Sequence, residues 1–215
     1  GKDVRPLRDK KLFLFDMDGT IYQENTVFDG TRELLEEIRE SGGRYVFITN
    51  NSSKSVRDYV DKVQGMGLQA EEENFFTSVQ ATILYLKEHH PGALVYCQGT
   101  RSMVEEVRRA GIRVTEEVRD GIDVVLVGFD MELTMPKLRN TCEILTCQNP
   151  AYLATNPDVC CPVSFGETPG FVPDCGSMCY GIEKATGKKP VYIGKPEPTM
   201  IHIVREKFGY SREET

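Results

Sequence analysis

No apolar run in these 215 residues approaches the roughly 18 that a membrane-spanning helix requires. The opening stretch GKDVRPLRDKK holds no apolar segment either, so it does not read as a signal peptide. Positive charge is in deficit: 26 Lys and Arg stand against 33 Asp and Glu, a net charge of −7. That balance argues against nucleic acid or an anionic membrane as a main partner. An anionic substrate then needs local positive charge or a metal to hold it. A disulfide framework is missing as well. Seven cysteines stand at 97, 142, 147, 160, 161, 175 and 179 without regular spacing, in a chain large enough to do without bridges. Reduced thiols in a cytoplasmic protein are the expectation. Cys160, Cys161, Cys175 and Cys179 are the one set that could hold zinc in principle, but no CxxC pair is among them. There is no internal repeat and no Gly- or Ser-rich linker.

What is present is an ordinary folded composition, 40% hydrophobic and 27% charged, long enough for one large domain or two small ones. Its most informative stretch is Leu12-Phe13-Leu14-Phe15-Asp16-Met17-Asp18-Gly19-Thr20. Four apolar residues are too few for a helix and read as a strand buried on both faces. Asp16 and Asp18 are one residue apart, so an extended chain points them the same way. Two like charges at the end of a buried strand are costly unless a cation lies between them. Hard divalent cations, Mg²⁺ above all, take such oxygen ligands together with substrate phosphate. An Asp-Gly turn after a strand is the plainer reading of the same residues.

The chain continues in alternation. A short hairpin or flap precedes Gly30, then Thr31 to Ser41 reads as a helix stopped by Gly42-Gly43. Residues 44–48 form a second buried strand, ending in Thr49-Asn50-Asn51-Ser52-Ser53. A helix from about Lys54 follows, then a short strand at 75–78 and a helix over 79–89. His89 and His90, before Pro91, read as a solvent-facing helix end. Strands at 93–97, 123–129 and 151–154 alternate with helices at 101–110 and 134–147. Residues 159–176, rich in Pro and Gly, read as a loop long enough to be functional. A helix to Gly187, a strand at 190–193 and a helix at 199–208 complete the order. Alternation of this kind builds a parallel sheet, whose ligands sit beyond the carboxyl ends of the strands. Both polar clusters, DMDGT and TNNSS, fall at such ends. TNNSS also opens a helix, where free N–H groups favour a phosphate, or where Asn and Ser simply cap the helix.

The string DMDGT after an LFLF strand resembles the first motif of the haloacid dehalogenase superfamily. TNNSS resembles its second motif, and Gly194-Lys195-Pro196-Glu197-Pro198 its third. ATNPD at 154–158, followed by Pro- and Gly-rich turns, resembles the NagD-like, p-nitrophenyl-phosphatase branch, though Cys161 stands where some relatives carry a His before the Pro. The resemblance covers nearly the whole chain from Lys11. It implies an α/β fold: a Rossmann-like parallel-sheet core over 1–80 and 188–215, with an α/β cap domain inserted at 81–187. It implies a Mg²⁺-dependent phosphatase acting on a small phosphorylated metabolite, such as a sugar phosphate or a nucleotide monophosphate. Asp16 would be the nucleophile and Asp18 the general acid and base, both at the metal. Thr49, Asn50, Asn51 and Lys195 would hold the phosphate, and Asn156 and Asp158 would face the substrate. A homodimer formed through the cap fits the resemblance too. A phosphotransferase such as a phosphomutase, and a non-catalytic binder of phosphorylated metabolites, stay open beside it. The family's fourth motif, GDxxxxD after a further strand, has no match beyond Lys195. The expectation is that the natural protein continues with that strand and its acidic pair.

Overall fold

The structure, a computed structural model, describes residues 10–17, 22–23, 26–27, 29–50, 56–194, 198–211 and 213–215. The chain divides into two compact units, one of Gly1–Thr49, Lys54–Thr77 and Ile201–Thr215, the other of Asn50–Ser53 and Ser78–Met200.

The smaller unit begins with strand β1 (Leu12–Asp16), followed by a short antiparallel hairpin of β2 (Tyr22–Gln23) and β3 (Thr26–Val27). Helix α1 (Thr31–Glu40), strand β4 (Arg44–Thr49), helix α2 (Val56–Gly65) and strand β5 (Phe75–Thr77) follow. The strands form a parallel sheet in the order β1-β4-β5. The two-residue period of β4 turns Tyr45 and Phe47 to one face. There they pack with Leu35 and Ile38 of α1, with Tyr59, Val60 and Val63 of α2, and with Phe75. Val46, Ile48 and Phe76 are buried too, so this sheet is covered on both sides, as a parallel sheet requires.

The larger unit runs α3 (Ser78–His89), β6 (Leu94–Gln98), α4 (Arg101–Arg109), β7 (Arg113–Thr115), β8 (Val124–Val127), α5 (Met135–Cys147) and β9 (Ala151–Ala154). A hairpin of β10 (Cys160–Phe165) and β11 (Thr168–Pro173) leads to α6 (Cys175–Thr186) and β12 (Val191–Tyr192). The last helix, α7 (Pro198–Phe208), is divided between the two units after Met200. Five parallel strands lie in the order β12-β9-β8-β6-β7. Alternation again sorts the core. Tyr96, Val125, Val127, Tyr152 and Ala154 face α5 and α6, while Val95, Cys97, Val124, Leu126 and Leu153 face α3 and α4. Each of these residues thus meets a helix, and burial of β6, β8 and β9 on both faces explains their near-continuous apolar runs. The fold is the expected one: a parallel-sheet α/β protein with an inserted α/β region.

Two stretches differ from the sequence reading. Residues 113–115 form the edge strand β7, where no strand is expected; only Thr115 of its three side chains is buried. Residues 160–173 form a regular antiparallel ribbon rather than an irregular loop. It reverses through Gly166-Glu167, with Gly166 at φ 65°, the left-handed conformation that a two-residue hairpin turn asks of its first residue. The residues from 188 to Met200 cluster by contacts with the larger unit, because β12 pairs with β9.

Candidate active site

In the smaller unit, β1 and β4 are in register with Asp16 opposite Ile48, and Met17 N donates to Ile48 O at 3.2 Å. Thr49, 3% exposed, ends β4 and stands opposite Thr77, which ends β5. Asp16, Thr49 and Thr77 therefore share the carboxyl edge of one parallel sheet, where open α/β sheets bind ligands. The register sets Asp16 and Thr49, the first residues of DMDGT and TNNSS, at neighbouring strand ends. The Asp16 side chain and residues Asp18, Asn51 and Lys195 lie outside the described residues.

In the larger unit, three polar segments converge. Asn50 Nδ2 donates to Asp158 Oδ2 at 3.2 Å, and Asn156 Nδ2 donates to the same oxygen at 3.3 Å. Asn156 Nδ2 also donates to Asp174 Oδ1 at 3.1 Å, while Thr155 Oγ1 donates to Asn156 Oδ1 at 2.9 Å. Asp174 is the N-cap of α6 and accepts from Cys175 N. The backbone oxygen of Asn50 accepts from Ser78 Oγ. Gly194, the residue before Lys195, donates its N–H to Thr155 O at 2.6 Å. A Cβ there would collide with Thr155 O and stand 2.5 Å from Asn50 Oδ1, so only glycine lets the backbone come this close.

Burial decides what these groups can do. Asn156 is fully buried and its amide is spent on two carboxylates and a hydroxyl. Asp174 is 6% exposed, and its carboxyl is held above the ordinary carboxylate range by burial, with the charge of Asp158 adding to the effect. Asp158 keeps partial exposure. The sequence brings Asn50, Asn156 and Asp158 forward, and the structure joins them. It adds Asp174, Thr155 and Gly194, which sequence reading passes over. Asp174 before Cys175-Gly176-Ser177 carries an N-cap signal, but its link to Asn156 depends on tertiary structure.

Among the described residues no group of three or more His, Cys, Asp or Glu could hold a metal ion. Cys160 is exposed on β10, whereas Cys175 and Cys179 are buried on α6. The hydrogen bond with the Cys179 thiol, together with burial, pushes the Cys175 thiol well above its ordinary value. His89 ends α3 half exposed, with its ring 4.3 Å from that of Tyr85. Among the described residues no helix is long and apolar enough to cross a membrane.

Residues 13–113 match the family model described as haloacid dehalogenase-like hydrolase. The chain is 31% identical over 209 residues to acid sugar phosphatase of Staphylococcus aureus (strain MRSA252), covering 97% of this chain and 78% of that protein. It is similar in structure to 4-nitrophenylphosphatase from Thermotoga maritima, with a TM-score of 0.86 and 36% identity over 97% of this chain and 77% of the other. Glycerol phosphate phosphatase from Mycobacterium tuberculosis, solved in complex with magnesium, aligns with a TM-score of 0.84 and 27% identity over 94% of this chain and 60% of the other. The motifs at the strand ends, the parallel-sheet architecture and these likenesses agree: the chain belongs to the haloacid dehalogenase-like hydrolases, in their NagD-like, p-nitrophenyl-phosphatase branch, and is an enzyme of the phosphatase type.

Proposed function

We propose that this enzyme hydrolyses small phosphate monoesters, sugar phosphates foremost, through an aspartyl-phosphate on Asp16. The observation that carries the reading is the register of β1 with β4, which sets Asp16 and Thr49 on one carboxyl edge. The named activities of the acid sugar phosphatase and the 4-nitrophenylphosphatase support the substrate class.

In this reading an Asp16 oxygen attacks phosphorus as the ester P–O bond breaks, and Asp18 gives the leaving oxygen its proton. Asp18 then takes a proton from water. The water oxygen attacks phosphorus, the acyl-phosphate P–O bond breaks, and inorganic phosphate leaves with Asp16 restored. Thr49, Asn50 and Asn51 donate to the phosphoryl oxygens, and Lys195 offsets their charge as it spreads toward the transition state. The donors that the sequence offers after β1, the Asp16 carboxylate and the Asp18 backbone carbonyl, are all oxygen, which suits a hard divalent ion. Asp16 and Asp18 would hold Mg²⁺, which supplies positive charge against the phosphate. Residues 1–80 and 188–215 carry the chemistry, and 81–187 act as the cap that selects the leaving group and excludes water.

The test is a panel of phosphate monoesters with Mg²⁺, reading free phosphate. Release from sugar phosphates and p-nitrophenyl phosphate is expected. Phosphate found on an acceptor instead, or none released from any ester, would overturn the proposal.

A further inference from the structure

We propose that the smaller unit carries a second anion-binding site, at the amino end of its sheet, for a small phosphorylated polyhydroxy compound. An open hollow of about 600 Å³ lies there. It is walled by Arg39 of α1, by Arg44 and Tyr45 at the start of β4, and by Gln64, Gln69 and Glu71 around the end of α2. Thr49 ends the same strand five residues on from Arg44, about 16 Å away at the rise of a parallel strand. The hollow and the catalytic edge are thus opposite ends of one sheet, and the proposal does not depend on the phosphatase reading.

Two guanidinium groups border this hollow without a carboxylate to balance them. Among the described residues neither Arg39 nor Arg44 forms an ion pair. Elsewhere arginines pair one helical turn away: Arg57 with Asp61, Arg101 with Glu105, Arg139 with Glu143. Helix α1 offers the same chance, since Glu36 stands three residues before Arg39 and four after Arg32, yet it pairs with neither. Arg39 lies instead beside the hydroxyl of Tyr45, which donates its own proton to Gln69 O. Arg32, two turns back on the same helix face, borders an adjoining hollow of about 80 Å³. The Arg44 guanidinium carbon sits 4.3 Å from the centre of the Phe208 ring, and Nη2 donates to Glu73 O at 3.4 Å. Lys207 Nζ is 5.5 Å from the same ring centre. Burial, and then the charge of Arg44, push that ammonium below its ordinary range, as an unbalanced guanidinium nearby would. In a chain of net charge −7, this is a local excess of positive charge that an anion would balance.

The wall also narrows the ligand. Guanidinium forks match the oxygens of a phosphate and bind them in pairs. A phosphate alone would leave most of the hollow empty, because its volume is that of a site for a whole small molecule, about 300–1,000 Å³. The other groups on the wall are polar and suited to hydroxyls. Gln64 Nε2 is taken by Ala70 O at 2.8 Å, which leaves its Oε1 as an acceptor. The Gln69 side chain brings both a donor and an acceptor. Glu71 is the one acid among the described lining residues, and its carboxylate accepts from hydroxyls while repelling a second anionic group. One phosphate on the arginines and several hydroxyls beyond it satisfy this set.

The test is a titration of the full chain followed by nitrogen-15 spectra of the arginine side chains, in EDTA without Mg²⁺ so that no ester is turned over. The Arg39 and Arg44 signals are identified by their disappearance in Arg39→Ala and Arg44→Ala. Glucose 6-phosphate should move both signals saturably. Glucose should move neither, and inorganic phosphate and succinate should need at least about tenfold higher concentration, because each lacks one half of the recognition. The signal of Arg57, already paired with Asp61, should stay in place. Each alanine variant should weaken glucose 6-phosphate at the remaining arginine about 10- to 100-fold, the usual worth of a hydrogen bond to a charged group. Arg39 and Arg44 signals that no probe moves overturn the proposal, as does a drift without saturation that Arg57 shares. Inorganic phosphate or succinate binding as tightly as glucose 6-phosphate overturns the ligand class. Since the readout is at Arg39 and Arg44 and not in turnover, an enzyme that hydrolyses no ester leaves the result standing.

Discussion

The amide of Asn50 donates to the carboxylate of Asp158 over 3.2 Å, across 108 residues of sequence. Each residue stands just after a buried strand, in the polar runs TNNSS and TNPD. Strand ends in parallel sheets collect ligand-binding groups because the chain turns there with backbone donors exposed.

Asp16→Asn keeps the shape of the nucleophile and removes its charge. Turnover of p-nitrophenyl phosphate should fall by several orders of magnitude, as for other covalent catalysts. The fold should survive, since Asp16 ends β1 without interrupting its pairing to β4. Steady-state rates beside circular dichroism check both halves. Turnover retained within about tenfold would remove Asp16 from the chemistry.

Gly194→Ala should damage the same place from the other side. The added Cβ would stand 2.5 Å from Asn50 Oδ1 and collide with Thr155 O, and a backbone carbonyl cannot swing away as a flexible side chain can. Overpacking of this kind costs about 1–3 kcal/mol. It should also cost more than about tenfold in turnover, because Lys195 is the next residue. Urea unfolding and rates on one preparation measure both. An alanine variant with parental rate and stability would show that the close approach is dispensable.

The sequence makes some of this legible and hides the rest for physical reasons. The strand carrying Thr49 is buried on both faces, and the one carrying Asp16 is buried at Leu12 and half-buried from Phe13 to Phe15, less than the buried strand the sequence leads one to expect; LFLF and YVFI still show as unbroken apolar runs ending in polar residues. Helices α1, α2 and α5 show by the spacing of Leu35 and Ile38, of Tyr59, Val60 and Val63, and of Leu138, Cys142 and Leu145, although in α5 Thr141 and Ile144 are buried more deeply than Leu138 and Cys142. Edge strand β7 buries one side chain of three, which leaves no period to find. The ribbon of residues 160–173 leaves Phe165 and Phe171 exposed, so no buried face imposes alternation on its prolines and glycines. Asn156 reads as a polar group at a strand end, suited to substrate. Its complete burial depends on Asp174, 18 residues later, and local sequence does not encode that partnership.

Thiol reactivity should follow burial. Cys147 and Cys160 are exposed, whereas Cys97, Cys175 and Cys179 are buried. Burial, with the charge of Asp130 adding, pushes the Cys97 thiol up to about 12, so almost no thiolate forms at neutral pH. A soluble maleimide should label Cys147 and Cys160 within minutes in native protein and reach the buried three only in denaturant. Peptide mass mapping reads the order. Early labelling of Cys175 or Cys179 would contradict the packing of α6.

Asp174 should make stability depend on pH in a direction opposite to that of a salt-bridged carboxylate. Burial raises its pKa first, and the nearby charge of Asp158 raises it further; the bonds from Cys175 N and Asn156 only partly counter this. An unfolded chain releases the same proton near the ordinary Asp value of about 3.9. Between that value and the folded one, the folded protein holds more protons than the unfolded chain, so its stability falls as pH rises. The contribution is complete below about pH 3.9, is lost as pH climbs through the folded pKa, and stays lost above it. Asp174→Asn isolates this from every other titrating group. Cys175 N and Asn156 Nδ2 both donate to Oδ1, so a single amide oxygen can keep both bonds. Urea unfolding of parent and variant from about pH 4 upward should show the parent losing ground to the variant, then running parallel to it. A parent that gains on the variant as pH rises would mean that Asp174 is stabilised as a carboxylate, against the direction that its burial sets.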